Sequence, residues 1–441
     1  MTDVTPSLVF SRIGLGQPAT RLSVTADGQP ANGKAVDPAA SGDGRYVVMM
    51  TPSDNLVSGG HPAVNDVVRL DRVSGRFDRV GGAAKDAPSF QPDISADGQV
   101  VTFASWAPRP GDAAGYYPRI YVHDARTGKT TCASAAINAP CEHPRVSADG
   151  NVIAFVVRPQ TGSNTHTQIF AYDCRTGRTS PVAVAPRNCW DPAISADGRF
   201  VAFVSTDAGL APAEREVQSK ADLDGMGHLF VHDRATGTTR RLDAGTDNES
   251  YHPSISADGR YVAYVNQKPL ERGSHVRIHD MQTGSDSEVR LDSDGQRIAN
   301  AGFPSVSADG RYVSFVGSLG ESHSNNVFVY DRELHRVACA SVNAGGEPAN
   351  RMCRAPHLSA DGTTVTYESE ATNLVAQGAS AEQIYASPNP LHPQAEARAL
   401  EAAERQARER AASAGTVEKR DDFVVIGGVR VPRRLAFLLA D

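Results

Sequence analysis

The chain has 441 residues, of which 40% are hydrophobic, 22% charged and 6% aromatic, and a formal net charge of −7 at pH 7. That is the composition of a globular protein large enough to bury a substantial core. The acidic balance argues against a nucleic-acid or anionic-membrane footprint, which needs a basic face; no apolar run is long enough to span a bilayer, and residues 1–12 lack the basic and apolar regions of a secretory signal.

In chain order, the first strand-like segments are residues 8–10 and 21–24. A repeat then begins: proline, any residue, an aliphatic residue, Ser-Ala-Asp-Gly, and an alternating apolar run. Its Asp-Gly pairs are Asp43-Gly44, Asp97-Gly98, Asp149-Gly150, Asp197-Gly198, Asp258-Gly259, Asp309-Gly310 and Asp361-Gly362, spaced 54, 52, 48, 61, 51 and 52 residues apart. The proline lacks an amide donor and suits the first residue of a strand. The Asp-Gly pair predicts a type I′ hairpin turn, with positive φ at both central residues.

The run after each turn, such as Arg199-Phe200-Val201-Ala202-Phe203-Val204, reads as a second strand. A third strand, such as Leu229-Phe230-Val231-His232, ends at an Asp (Asp71, Asp124, Asp173, Asp233, Asp280). A second turn leads to a fourth strand, such as Arg240-Arg241-Leu242. The pattern predicts an all-β, seven-bladed β-propeller of four-stranded antiparallel blades over residues 1–387. The last copy has no evident fourth strand after Gln383-Ile384-Tyr385-Ala386. Residues 21–24 are therefore expected to complete the seventh blade, although residues 8–10 also look like a third strand.

Residues 388–441 form a C-terminal extension. Pro388, Pro390 and Pro393 mark a break. Residues 394–414 predict a helix with Glu401–Arg405 and Glu404–Arg408 at i,i+4. Residues 421–432 predict a short hairpin around Gly427-Gly428. Residues 421–441 are expected either to dock a partner or a second copy by strand addition, or to fold back on the propeller. Asp222-Leu223-Asp224-Gly225 and Asp292-Ser293-Asp294-Gly295 are fragments of oxygen-ligand loops that turn formation explains as well.

The Pro-x-aliphatic-Ser-Ala-Asp-Gly-Arg-Tyr-Val-Ala-Phe core, followed by Tyr/His-Asp-Arg-x-Thr-Gly, resembles the TolB-type propeller repeat, a relative of the WD-type repeat. The resemblance covers roughly residues 7 to 387 and implies the fold, with little said of function. TolB itself carries an N-terminal domain for which this chain has no room.

Six cysteines bear on the compartment. Cys132 and Cys339 share one blade position, and Cys141, Cys189 and Cys353 another; Cys174 lies in a hairpin. Pairs Cys132–Cys141, Cys339–Cys353 and Cys174–Cys189 would close short loops and imply a periplasmic or secreted protein. The other reading is small buried thiols.

Ligands usually meet a propeller at the mouth of its channel. The residues before the repeat prolines approach that mouth, and four successive blades offer Gln91, His143, Asp191 and His252 there. The preceding position supplies Phe90, Glu142, Trp190 and Tyr251; the sixth and seventh blades add Phe303 and Arg354. Gln91, His143, Asp191 and His252 could bind a divalent metal. Polar groups beside aromatic faces could instead bind a sugar or peptide, and polar residues near a channel can also be merely hydrated.

Oligogalacturonate lyases are similar in architecture, with a His/Gln metal site at the mouth. That likeness implies, for Gln91, His143 and His252, metal-assisted removal of the proton beside a uronate carboxylate, which Arg354 would hold. No Gly-x-Ser-x-Gly elbow supports a hydrolase. The sequence favours a non-catalytic binding or scaffold propeller that recognises a protein or glycan partner at its mouth, with no cofactor required and the tail as a second contact. The alternative is a metal-dependent oligouronide lyase.

Overall fold

The Ser-Ala-Asp-Gly copies fold as self-capped turns. Ser95 Oγ donates to Asp97 Oδ1 (2.6 Å) and accepts the Val100 N–H (2.9 Å), while Asp97 Oδ1 accepts the Gln99 N–H (2.9 Å). Gly98 alone of the pair has positive φ, at 71°. The turn is therefore not the expected type I′ but a longer loop over residues 96–99, needing a single left-handed residue. Gly98 is also a packing joint, because a Cβ there would lie 2.2 Å from the Tyr46 ring of the preceding blade.

The residue after the glycine ties the turn to the blade. Arg45, Arg199, Arg260 and Arg311 fork onto Asp71, Asp233, Asp280 and Asp331, the last residues of the third strands, at 2.7–3.3 Å. Each guanidinium also lies 4.7–5.0 Å over the ring that follows it in sequence. Asp-Gly-Arg-aromatic and the distant Asp recur together because they form one contact.

A computed structural model describes residues 18–57, 64–81, 87–108, 117–159, 166–211, 225–243, 248–268, 273–289, 298–319, 324–378, 381–394, 423–426 and 429–432. Seven four-stranded antiparallel sheets form the predicted propeller. The first blade is Val36–Ala40, Tyr46–Thr51, Asp66–Asp71 and Arg76–Arg79, and five more follow with their strands in chain order. The seventh is Cys353–Leu358, Thr364–Ser369 and Gln383–Pro388, with Thr20–Arg21 as its outer strand. Thr20 pairs with Ala386 and Arg21 with Tyr385, so the N-terminal segment closes the last blade as expected. Residues 8–10 lie outside the described residues.

Stacked rings fill the space between blades. Phe203–Phe230 and Tyr367–Tyr385, all fully buried, have centroids 5.7 and 6.0 Å apart. A second linkage runs around the ring through the residue after the repeat serine, an alanine in six blades and Gly42 in the first. Gly42 N–H bonds to Ala96 C=O, Ala96 to Ala148, Asp149 to Ala196, Ala196 to Ala257, Ala257 to Ala308, Ala308 to Ala360, and Asp361 back to Gly42, at 2.8–3.3 Å. A small side chain there lets adjacent backbones approach.

All six cysteines are free thiols. The expected Cys132–Cys141, Cys339–Cys353 and Cys174–Cys189 disulfides are not formed. Cys189 and Cys353 instead take the place that Ser89 occupies in the second blade: their sulfurs meet Ser205 and Ser369 hydroxyls at 3.5 and 3.4 Å, as Ser89 meets Ser105 at 3.2 Å. Burial pushes the Cys141 and Cys353 thiols up to about 12, which keeps them protonated and inert. The inference of a periplasmic or secreted protein, which rested on these pairs, loses that support.

After the last strand the chain packs against the turn regions of the seventh and sixth blades. Asn389 Nδ2 donates to Gly362 C=O (2.8 Å), and Leu391 is buried with its carbonyl facing Tyr312. Phe423–Ile426 and Val429–Pro432 pair as the predicted hairpin. The predicted helix beyond residue 394, residues 433–441, and both oxygen-ligand fragments except Gly225 lie outside the described residues. No helix among the described residues is long and apolar enough to cross a membrane.

Candidate functional site

The repeat proline does not begin its strand, as the sequence suggested, but sits inside it. It is tolerated because the first strand is the inner edge of each sheet and is bulged at that point. Glu142 pairs with Val156 and Arg145 with Ala154, so one extra residue is accommodated, and the same register shift recurs in every blade. The residue before each proline absorbs the bulge. Asp37, Gln91, His143, Asp191, His252, Phe303 and Ala355 all have φ between 45° and 54°. Such a conformation costs a non-glycine residue roughly 1–3 kcal/mol. It re-aims seven side chains toward the axis.

All seven line one cavity of about 500 Å³. Gln91 is turned onto the next blade: its Oε1 accepts the His143 N–H (2.8 Å) and its Nε2 donates to His143 Nε2 (2.9 Å). Asp191 Oδ2 likewise accepts the His252 N–H (3.2 Å). The His252 ring stacks on Phe303 at 4.3 Å, and Phe303 is 46% exposed, which leaves an aromatic face open at the mouth. His252 Nδ1 is buried with no partner.

The bulge turns the preceding residues away, and none of them lines the cavity. Glu142 pairs with Arg158 (3.1 Å), Arg354 with Glu382 (2.6 Å), and Tyr251 donates to Gln267 Oε1 (2.7 Å). Phe90 packs into the core between the second and third blades, and Trp190 covers Gly227. The structure thus brings together Gln91, His143, Asp191, His252 and Phe303, and sets Phe90, Glu142, Trp190, Tyr251 and Arg354 outside.

Sequence reasoning missed a second set, one residue past each proline. Asp93, Arg145, Ser254, Ser305 and His357 also line the cavity. Four of them cap an amide of the next blade: Asp93 accepts from Val146, Ser254 from Val306, Ser305 from Leu358 and His357 Nδ1 from Ala40, at 2.9–3.2 Å. Reading the residue after each proline around the ring would have found them.

Burial holds His143, His252 and His357 below the usual imidazole range, and the Arg145 charge acts in the same direction on all three. They are neutral at pH 7. Burial raises Asp37, and it raises Glu368, which accepts the Asp37 N–H at 3.0 Å, to about 7. Among the described residues no three His, Cys, Asp or Glu side chains converge as a metal site would require. Gln91 and His143 are bonded to each other, so the expected set of Gln91, His143, Asp191 and His252 does not fit a divalent metal as arranged.

No protein-family model matches the sequence. No curated protein matches it either. Among solved structures it is similar to oligogalacturonate lyase from Vibrio parahaemolyticus, at 12% identity and a TM-score of 0.56 over 84% of this chain and 93% of that one. An oligogalacturonate lyase in complex with manganese matches at 12% identity and 0.56, over 85% and 93%. TolB from Acinetobacter baumannii matches at 17% identity and only 0.42, over 69% and 62%. Likenesses at such identities establish the propeller fold and nothing narrower.

Proposed function

We propose that this chain is a non-catalytic binding propeller that takes a group of a glycan or protein partner into its channel mouth. The observation that carries the reading is the set of seven bulges, which spend conformational strain to aim residues of every blade into one cavity. An open Phe303 face lining the same cavity as Gln91, His143 and Asp191 suits a sugar ring best, with apolar C–H groups on the aromatic face and hydroxyls on the polar groups. The tail hairpin would serve as a second contact.

The test is a glycan and peptide panel on the purified chain and on the His252→Ala/Phe303→Ala variant. Mouth recognition predicts hits that the variant loses by about tenfold or more, with an unchanged melting temperature. Hits lost instead on deletion of residues 415–441 would move the contact to the tail. The second reading, a metal-dependent oligouronide lyase, is favoured by the two lyase neighbours and opposed by the missing convergence of ligands. It predicts unsaturated product from oligouronides when manganese is supplied, lost on chelation and in His143→Ala.

A further inference from the structure

The position after each repeat proline caps a backbone amide of the neighbouring blade in four of the seven blades. Asp93, Ser254, Ser305 and His357 accept a backbone N–H from the neighbouring blade, and Ala39 and Ala193 carry no polar group. The third blade places Arg145 there. A guanidinium has donors only, so it cannot cap an amide. Among the described residues its guanidinium makes one hydrogen bond, a long one of 3.5 Å to the carbonyl of Pro144. Arg145 is exposed within the channel, and among the described residues it is the only Arg or Lys that lines it.

A second donor faces the same space. His357 Nδ1 accepts the Ala40 N–H at 3.2 Å, so the neutral ring carries its proton on Nε2. That Nε2–H has no acceptor among the described residues. Arg145 acts electrostatically on Asp37, His143, His252 and His357, which come from the first, third, fifth and seventh blades. Its charge is therefore felt by groups from four of the seven blades.

We propose that the Arg145 guanidinium receives a carboxylate of the ligand inside the channel, which the His357 Nε2–H also lines. The assignment rests on the channel being the binding site. A planar carboxylate matches the guanidinium fork. A dianion is disfavoured, because Asp37, Asp93 and Asp191 line the same cavity and would repel the second charge. The carboxylate could belong to an acidic sugar or to a peptide C-terminus. Arg354, the sequence-based choice for this role, is already neutralised by Glu382.

The test follows the histidine side-chain resonances of the full chain by NMR during an acetate titration. Saturable shifts at His357 are expected in the wild type and in Arg354→Gln. Arg145→Gln should weaken them by about tenfold or more, and Arg145→Lys by less, since it keeps the charge and loses the fork. Melting curves check that the variants fold. Glucuronate against glucose, and a free-acid peptide against its amide, then separate the two sources. Absence of a saturable shift, or one unchanged in Arg145→Gln, overturns the proposal. A neutral ligand lost in His252→Ala/Phe303→Ala but held fully by Arg145→Gln overturns it too, while leaving the binding reading intact.

Discussion

Single residues here often serve twice, and substitutions should separate the two duties. Gly75 and Gly310 share a φ of 71°, but a Cβ at Gly75 meets nothing within 4 Å, while one at Gly310 lies 2.1 Å from the Tyr261 ring. Gly75→Ala should cost about 1 kcal/mol for the left-handed backbone. Gly310→Ala should cost at least about 2 kcal/mol more for the clash; equal values by urea unfolding would refute the joint. Glu368 has a folded pKa of about 7 against an ordinary 4.5. The folded state thus holds an extra proton between those values. Its contribution is fully present below pH 4.5 and is lost as pH rises through 7, by on the order of 3 kcal/mol. Glu368→Gln should flatten that part of the stability profile, and an unchanged slope would contradict the assignment. The pre-proline residues that line the cavity were legible because repeat spacing places them around a ring. Arg145, Asp93 and His357 stand at an equally regular spacing, one residue past each proline, but spacing alone does not say which of the neighbouring positions enters the channel. The same blindness put Trp190 and Arg354 at the mouth.

At the level of elements, turn and strand are joined by ion pairs of unequal depth. Arg45–Asp71 is largely exposed on its arginine side, whereas Asp331 is fully buried against a quarter-exposed Arg311. Arg45→Ala should cost little, because water screens the exposed pair. Arg311→Ala should cost about 2 to 3 kcal/mol, because it strands a buried carboxylate. Chemical denaturation of both variants measures the difference, and similar losses would show that burial does not set the order. Element type and number were readable from the Asp-Gly period. Turn geometry was not, since an Asp-Gly pair is compatible with a type I′ turn and with the longer loop that Ser95 and Asp97 cap. Cysteine spacing misled for a related reason: it reports repeat position, and at that position Cys189 and Cys353 substitute for a core serine.

For the whole molecule, closure depends on a short N-terminal strand and on a circuit of backbone bonds between blades. Leu22 N–H reaches Ile384 C=O at 2.7 Å, and Ser23 Oγ reaches Gln383 at 2.7 Å. Deleting residues 1–24 should open the seventh blade's outer edge, lower the melting temperature and broaden the transition; an unchanged transition would show that the ring does not need its closing strand. The closed ring holds the seven bulged residues around one cavity, and the functional claim rests on that cavity. The most direct measurement is ligand affinity, by calorimetry on the panel's best hit, for wild type and His252→Ala/Phe303→Ala. The account predicts a loss of about tenfold or more with no turnover of the ligand. Equal affinity in the variant, or conversion of the ligand to product, would contradict it.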